Sequence, residues 1–423
     1  MRPFRRLPWA RASVIVLSFV ILPFTSLGQD QTVSPPATST PSPTATASAT
    51  PSPTATATPD HSLKSARLVR ATLADVYSPP PSEEVGPRRY PRGINPLTGL
   101  PYPSEEAQLR RNLIVKISNW PPRVRPQHGV NQADLVYEYE AEGGVTRFAA
   151  LYRNNAPEQV GSLRSARLLD IELLTMYASL LAYSGTSGPI HEIYKNAHYR
   201  PVLLSPSLGD NCENAGFCRD ETFRARGYEH TLFGDTQQIW NAASRRGVNI
   251  GFRALGFAFD LRPDANGSDV NDIYINWYDR TNARWQYDEG SGRFLRYTDG
   301  LPHVDAADDS QLWADNLVML QVIHNRRPDL FTPGAIDESL EVALWGQGRA
   351  YVMREGKLYA GYWRRLSPNR GEALSLIYGD ETAIMLKPGR TWVTILRSLD
   401  DVVLSDAMAN MAATATAVAN AES

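Results

Sequence analysis

The hydrophobic pattern of the chain changes near Ala254, and this change constrains the fold more than any other feature. Before it, strand-like runs such as "NLIVKIS" and "DLVYEYEA" alternate with helical runs, one of them predicted to begin after Asp235. After it, nearly every run is typical of a short strand, and turn pairs such as Glu355-Gly356 separate the strands. The sequence therefore predicts an α+β protein, with a mixed α/β N-terminal domain followed by a mostly antiparallel β C-terminal domain.

The N-terminus has the pattern of an export signal. Four arginines precede an apolar run from Val14 to Leu22, Pro23 ends it, and small residues follow at the spacing of a cleavage site. This predicts a signal peptide over residues 1–28. An uncleaved membrane anchor is the alternative, although a span needs roughly 20 apolar residues and this run is shorter. Arg5-Arg6 also resembles a twin-arginine signal, but the residues after it fit poorly.

The remaining boundaries follow from composition. Residues 29–92 are predicted to be a disordered stalk and linker, because a stretch of Thr, Ser, Pro and Ala cannot bury enough apolar surface to offset its conformational entropy. The α/β domain is placed at 93–253, the β-rich domain at 254–398, and an alanine-rich tail at 399–423. Together with the N-terminus, this predicts export across the cytoplasmic membrane to an extracellular or cell-surface location. Membrane association would require that the N-terminal segment be retained.

The overall charge excludes one class of function. The formal net charge is −2, so the chain has no basic excess to neutralise phosphates, and general nucleic-acid binding is not expected. Two acidic loops, 264–272 and 303–310, carry oxygen ligands, but the first does not have the spacing of a helix-loop-helix calcium site. Both favour polar connections over metal sites. We expect no metal and no cofactor.

The chain has two cysteines, Cys212 and Cys218. In an exported protein, a close pair within a loop rich in Asn and Gly favours a single disulfide. A redox pair usually has two intervening residues and a zinc site needs more ligands nearby, so these alternatives are weaker.

The stretch "EYEAEGGVTRF" contains three alternating glutamates followed by Gly143-Gly144. Side chains alternate along a strand, so Glu138, Glu140 and Glu142 would share one face, and tyrosines would occupy the other. If the two glycines form a two-residue turn, Glu140 lies opposite Arg147 and the two side chains can pair. Glu138 and Glu142 are then left without assigned partners.

A second charged feature follows in "GSLRSAR". Ser165 is a candidate N-cap for the next helix, which would place free N–H groups beside Arg164 and Arg167. These groups would suit an anion. They would equally suit Glu138 or Glu142, so a structural ion network and an open anion pocket both remain possible interpretations.

Several strings in this region resemble the YerB-like family of bacterial envelope proteins, whose common domain has no assigned function. They are "NPLTGLPYP", "RPQHGVNQADLVYEYEAEGGVTRFAALY", "GSLRSAR", "YSGTSG" and "EHTLFGDT". The resemblance implies an exported or lipid-anchored envelope protein with a mixed α/β first domain, and no agreed catalytic residues. The family's motif falls on Arg125, Gln127, Ala133-Asp134, Tyr137-Glu138, Glu142-Gly143-Gly144, Thr146-Arg147, Gly161, Arg164-Ser165-Ala166-Arg167 and His230.

These observations favour a non-catalytic binding module whose ligand is a partner protein of the envelope or an anionic cell-wall fragment. The candidate cleft comprises Arg125, Glu138, Glu142, Arg147, Arg164, Ser165, Arg167 and His230. The alternative is a hydrolase or transferase acting on envelope glycan or peptide through Glu138, Glu142, Ser165 or His230. No complete catalytic constellation is visible, so the sequence favours binding and leaves the enzyme alternative open.

Overall fold

The computed structural model describes residues 85–330 and 339–405. The predicted signal peptide, most of the predicted stalk and residues 406–423 of the predicted tail lie outside the described residues. Five α-helices are present in the described part, and they are α1 Glu105–Leu109, α2 Leu168–Met176, α3 Gly188–Lys195, α4 Cys212–Ala215 and α5 Thr236–Arg245. The 3₁₀ helices are Pro122–Val124, Val130–Gln132, Arg200–Val202, Pro206–Leu208, Glu221–Arg226, Tyr228–His230, Pro328–Leu330 and Leu399–Asp401.

The strands before Ala254 are β1 Leu113–Ser118, β2 Leu135–Glu140, β3 Thr146–Tyr152, β4 Val160–Gly161, β5 Leu180–Ala182, β6 Leu203–Leu204, β7 Phe217–Arg219 and β8 Leu232–Gly234. Those after it are β9 Ala258–Phe259, β10 Ser268–Asp269, β11 Asp272–Trp277, β12 Thr281–Asp288, β13 Arg293–Thr298, β14 Leu301–Pro302, β15 Trp313–Ala314, β16 Asn316–Gln321, β17 His324–Arg327, β18 Ser339–Val342, β19 Gly346–Arg354, β20 Lys357–Arg365, β21 Ser375–Ile377, β22 Met385–Leu386, β23 Thr391–Leu396 and β24 Val402–Leu404.

Strands from both halves of the chain form one sheet of eleven strands. The order is β10-β20-β19-β16-β23-β2-β3-β1-β5-β6, with β21 beside β20. At its centre β2 is antiparallel to β3 and parallel to β23. Because β23 comes from the C-terminal half, the two halves share main-chain hydrogen bonds in the middle of the sheet.

The second large sheet comes entirely from the C-terminal half and is antiparallel, in the order β14-β13-β12-β11-β24 with β15 beside β13. Trp285 on β12 contacts Trp392 on β23 edge-on, with ring centroids 5.1 Å apart, so this sheet packs against the large one. Trp285, Trp363 and Trp392 are all buried, which places these aromatic side chains in the core. The predicted α+β fold class is confirmed.

Local signals in the sequence account for two further features. The carboxylate of Asp235 accepts a hydrogen bond from the N–H of Gln238 at 3.0 Å and caps α5, as the spacing of these residues predicts. Cys212 and Cys218 form a disulfide, so that prediction is also confirmed.

The ends of the described part differ from the compositional prediction. Val85 and Tyr90 lie within the predicted linker, yet both are buried, and the Tyr90 hydroxyl donates to the carbonyl of Phe257 at 2.5 Å. At the other end, β24 begins within the predicted tail and pairs with β11. Composition did not predict either segment, because each contains few apolar residues. Those residues nevertheless pack on or pair with the rest of the fold. No helix in the described residues is long and apolar enough to cross a membrane.

The predicted hairpin between β2 and β3 forms with a longer loop. The N–H of Ala141 donates to the carbonyl of Val145 at 2.8 Å, and this bond encloses a loop of three residues, 142–144. Gly143 and Gly144 have φ angles of 68° and 69°, a left-handed conformation that glycine adopts without steric cost.

This loop shifts the register by one residue. Glu140 lies opposite Thr146 and Arg147 lies opposite Tyr139, so the predicted pairing of Glu140 with Arg147 is wrong. Because side chains alternate along a strand, the shift places Arg147 on the tyrosine face of β2. Glu140 pairs instead with Arg397, whose Nε and Nη2 lie 2.8 and 3.1 Å from its carboxylate oxygens.

Candidate functional site

The segment "LRSA", residues 163–166, connects β4 to α2 and is held extended by its neighbours. The N–H of Leu163 donates to Leu232 at 2.7 Å, and the N–H of Arg164 donates to Lys116 at 2.9 Å. The N–H of Ala166 donates to Gly185 at 2.9 Å. These bonds fix where the side chains of the segment emerge.

Helix α2 begins two residues later than the sequence predicts. Its N-cap is Arg167, and the prediction that Ser165 caps the helix is wrong. The physical reason is the extended segment, which uses its backbone groups in bonds to neighbouring strands. Asp170 closes the helix start instead, because its Oδ2 accepts from the N–H of Arg167 at 2.6 Å.

The start of α2 and the start of β3 together form an arginine cluster, defined here as Arg147, Arg164 and Arg167 with Ser165 and Glu142. Arg147 donates from Nη1 to the carbonyl of Ser165 at 2.9 Å. Arg167 donates from Nη2 to Glu142 at 2.5 Å. Within the described residues, the guanidinium of Arg164 has no ion pair within 4.0 Å and no side-chain hydrogen bond.

The charges in this cluster are unbalanced. Burial, and next the nearby Arg167, lower the pKa of Arg147 to about 9, while Glu142 opposes the shift. Burial also lowers the pKa of Arg164. Although burial raises the pKa of Glu142, Arg167 and Arg147 lower it below its ordinary value. Positive charge is therefore costly here, and an added anion would be stabilised.

A buried ionic network lies beneath the cluster. Lys116 and Asp170 are fully buried, and Lys116 Nζ lies 3.1 Å from Asp170 Oδ1. The Tyr139 hydroxyl donates to the same carboxylate oxygen at 2.6 Å and accepts from Lys116 at 2.5 Å. Burial lowers the pKa of Lys116 to about 8, although Asp170 opposes this. Asp170 thus serves both this network and the start of α2, which couples the cluster to the core.

His230 lies at the edge of the cluster. Its side chain is buried, its Nε2 lies 3.3 Å from Glu229 Oε1, and its Nδ1 is buried without a hydrogen-bond partner among the described residues. Burial and then Arg164 lower the pKa of His230 to about 4, with Glu229 opposing them. The imidazole is therefore neutral near pH 7.

Two of the predicted cleft residues lie elsewhere. Glu138 is fully buried on the opposite face of β2 from Tyr139, and it pairs with Arg296, whose Nη2 lies 3.0 Å from Oε1. Arg125 belongs to the same side, since it donates from Nη2 to the carbonyl of Asn119 at 3.1 Å, and Asn119 donates to Glu138 at 3.3 Å. The structure therefore brings together the other six predicted residues and separates Glu138 and Arg125 from them.

The candidate residues Glu138, Glu142, Ser165 and His230 do not form a hydrogen-bonded hydrolytic site in the described structure. Ser165 has no side-chain hydrogen bond with His191 or His230, so no nucleophile–base pair is present there. Glu138 and Glu142 do not face one cleft, because Glu138 points to Arg296 and Glu142 to Arg167. Residues 85–330 and 339–405 contain no group of three His, Cys, Asp or Glu side chains arranged to hold a metal ion.

Two hydroxyls beside this region are not among the residues predicted from the sequence. Thr186 and Ser187 lie in the loop before α3, and their Oγ atoms are buried without hydrogen-bond partners among the described residues. The same loop contacts the arginine segment, because the N–H of Ser184 donates to the carbonyl of Arg164 at 3.1 Å. The sequence feature that could have indicated them is the repeat of small hydroxyl residues in "YSGTSG".

Comparisons with known proteins match both halves of the chain. Residues 97–249 match the family model described as "Protein of unknown function (DUF3048) N-terminal domain", and residues 273–393 match that of the corresponding C-terminal domain. The chain is 24% identical over 317 residues to "Putative lipoprotein YerB" of Bacillus subtilis (strain 168), covering 73% of this chain and 88% of the relative.

A solved structure shows the same fold. The crystal structure of the YerB protein from Bacillus subtilis matches with a TM-score of 0.60 and 22% identity, covering 74% of this chain and 99% of that one. The matched family models follow the order of the two halves described above. This chain is therefore a member of the DUF3048 family and carries both the N-terminal and the C-terminal domain of that family.

Proposed function

We propose that this protein is an exported cell-envelope protein that binds, without catalysis, an anionic group of a cell-wall fragment at its arginine cluster. The location is supported by the export pattern at residues 1–28 and by the relative named as a lipoprotein. Membrane association, in this proposal, depends on whether the N-terminal segment is retained.

The observation that carries the proposal is the free guanidinium of Arg164 beside two other arginines. Glu142 binds Arg167, and Arg147 donates to a carbonyl, whereas the guanidinium of Arg164 has no hydrogen-bond partner in the described part of the chain. Glu229, which lies near Arg164, is itself 3.9 Å from Arg123. A phosphate or carboxylate would supply the missing negative charge and accept planar, paired hydrogen bonds from a guanidinium.

The hydroxyls near the cluster support binding of an oxygen-rich anion. Ser165 lies in the segment itself, and the buried hydroxyls of Thr186 and Ser187 lack hydrogen-bond partners among the described residues. Buried hydroxyls without partners are costly, so a ligand that accepts hydrogen bonds would satisfy them. A neutral His230 at the edge could donate or accept one further bond.

The test is binding of the full-length protein to cell-wall fragments fractionated by their phosphate and carboxylate content. We expect Arg164→Ala to bind the anionic fractions about tenfold more weakly, because a charge-assisted bond is lost. The unfolding midpoint should not change, since Arg164 makes no side-chain bond within the described residues. Binding should also weaken as salt is added.

The matched control is Arg349→Ala, which removes one exposed arginine on β19. Equal affinity of the Arg164→Ala and Arg349→Ala variants for every fraction would overturn the proposal. Turnover of a fraction that Ser165→Ala abolishes would instead favour the hydrolase or transferase alternative.

A further inference from the structure

A second polar cavity, distinct from the arginine cluster, lies at the opposite end of β3. Its volume is ≈ 150 Å³. The residues that matter for its chemistry are Arg92, Tyr102, Gln108, Arg153, Gly251 and Arg253. Arg153 directly follows β3 and Arg147 is near its start, so roughly 20 Å of extended strand separates the two sites.

Three arginines and no carboxylate are among the residues that line this cavity. Arg153 is buried, and its Nη1 and Nη2 already donate to the carbonyls of Phe252 and Gln108 at 2.5 and 2.6 Å. Arg92 and Arg253 are exposed. Arg253 uses Nη2 for the carbonyls of Tyr90 and Pro91, which fixes its position beside the cavity. One carboxylate lies nearby, that of Asp134, which accepts from the backbone N–H of Arg153 at 2.6 Å, so the three arginines leave a net positive charge at the cavity.

Two buried polar atoms of the lining have no hydrogen-bond partner among the described residues, the hydroxyl of Tyr102 and the Oε1 of Gln108. Tyr102 is only 7% exposed, and the guanidinium carbon of Arg153 lies 5.0 Å from its ring centroid. Burial raises the pKa of Tyr102, so the hydroxyl keeps its proton and can donate. Gln108 Oε1 can only accept. The arginines and the Tyr102 hydroxyl of the lining can therefore bind an anion. Gln108 Oε1 can accept a hydrogen bond from an O–H or N–H of the same ligand.

Gly251 keeps the wall of the cavity close-packed. A Cβ at this position would lie 2.7 Å from the carbonyl oxygen of Leu109 and 2.8 Å from Nη2 of Arg153. The carbonyl of Leu109 accepts from the N–H of Gly251 at 2.7 Å, and Nη2 of Arg153 donates to the carbonyl of Gln108, so neither atom can move without breaking a hydrogen bond. The position of the buried Arg153 guanidinium therefore requires glycine at position 251.

We propose that this cavity binds a small carboxylate that carries a hydrogen-bond donor next to it, as in a 2-hydroxy acid or the last residue of a peptide. The carboxylate would lie against the arginines and accept from Tyr102, while its neighbouring O–H or N–H donates to Gln108 Oε1. A cavity of this volume holds about six heavy atoms, which matches lactate or one terminal residue.

The test is a titration of the full-length protein with lactate, propionate and N-acetylalanine, followed by NMR. Propionate is the matched control because it has the carboxylate but lacks the donor. We expect lactate to bind in the millimolar range or tighter and about tenfold better than propionate. If N-acetylalanine also binds better than propionate, the source is a peptide terminus, and if only lactate does, it is a free acid.

Three variants separate the roles of the lining residues. Tyr102→Phe should weaken lactate binding about tenfold with an unchanged unfolding midpoint, because the hydroxyl has no partner to lose within the described part of the protein. Gln108→Leu should remove the preference for lactate over propionate. Arg92→Gln should weaken both acids, whereas Arg262→Gln, a control at a 78% exposed side chain, should not.

Equal binding of all three acids by the wild-type protein would overturn the proposal, as would the absence of saturable binding. An unchanged affinity in Tyr102→Phe together with an unchanged preference in Gln108→Leu would also overturn it. The outcome is independent of the arginine cluster, since none of these variants touches its residues.

Discussion

Glu138 and Arg296 lie 158 residues apart in the chain and form a fully buried ion pair, with Arg296 Nη2 3.0 Å from Glu138 Oε1. Other protein groups also donate to the carboxylate of the pair, whereas Arg296 Nη1 is buried without a hydrogen-bond partner among the described residues. Thr146 donates to Oε1 at 2.8 Å and the indole of Trp392 donates to Oε2 at 3.2 Å. Arg296 also lies over the Trp392 ring, 5.2 Å from its centroid. One carboxylate thus joins β2 and β3 to β13 and β23.

Replacing Glu138 should strongly destabilise the protein. We expect Glu138→Ala to lower the free energy of unfolding in urea by roughly 3–5 kcal/mol, because Arg296 would be left buried without its counter-charge. The control is Glu381→Ala, which breaks the more exposed pair with Arg364 and should cost at most about 1 kcal/mol. Similar small losses in both variants would contradict a structural role for Glu138.

The N-terminal family domain should not fold by itself. A fragment of residues 85–253 would lack β23, leaving β2 without its parallel neighbour and Glu138 without Arg296 and Trp392. We expect circular dichroism and NMR spectra typical of an unfolded chain. Adding the complementary fragment should restore the chemical-shift dispersion of the NMR spectrum if the first fragment is unfolded for lack of β23. A well-dispersed spectrum of the first fragment alone would show that this domain folds without the C-terminal half.

Acidification should destabilise the protein through its buried histidines. Burial and Arg164 lower the pKa of His230 to about 4 from an ordinary 6.5, so the unfolded chain binds the proton more readily than the folded one. The stability that this neutral histidine provides is present above pH 6.5 and is lost as pH falls toward 4. His303 acts in the same direction, since burial lowers its pKa well below the ordinary value.

The measurement is the unfolding midpoint of the wild type and His230→Gln from pH 7 to pH 4. His303 is present in both proteins, so the difference isolates His230. The wild type should lose more stability than the variant across this window, and parallel curves would show that His230 is not buried in its neutral form.

Glu142 should oppose anion binding at the arginine cluster. It is the carboxylate paired with Arg167, so Glu142→Gln leaves the three arginines with less compensating charge. We expect the affinity for anionic wall fragments to rise about fivefold, the effect of one charge at contact distance near water. The unfolding midpoint should fall slightly. Lower affinity in this variant would mean that Glu142 itself contacts the ligand.

The disulfide should contribute to stability without affecting either site. Cys212 and Cys218 are six residues apart, and closing so short a loop removes roughly 2 kcal/mol of unfolded-state entropy. We expect the double variant Cys212→Ser, Cys218→Ser to lose about that amount in urea unfolding at unchanged affinity for wall fragments. Loss of binding would instead link this loop to the arginine cluster.

Local features of the fold were accessible from the sequence because they depend on neighbours in the chain. The α5 cap joins Asp235 to Gln238, and the disulfide joins residues six apart. The change of pattern at Ala254 reflects the different periods of helices and strands, so it predicts the fold class. The grouping of Arg164, Ser165 and Arg167 follows simply from their adjacency.

The ion-pair partners of the glutamates could not be predicted from neighbouring residues in the sequence. Glu140 pairs with Arg397, which is 257 residues away, and one extra residue in the loop moved Arg147 to the other face of β2. Two-residue and three-residue glycine turns are both common, and a one-residue difference between them reverses every side chain.

The sequence by itself determined the fold class, the disulfide and the presence of a dense charged region at the start of α2. The tertiary structure alone decided which charges are neutralised, because that depends on β23 and β13 arriving beside β2 from the far end of the chain. Burial fixes the outcome. A carboxylate removed from water must meet a cation, so Glu138 is matched by Arg296, while Arg164 has no such partner within the described residues.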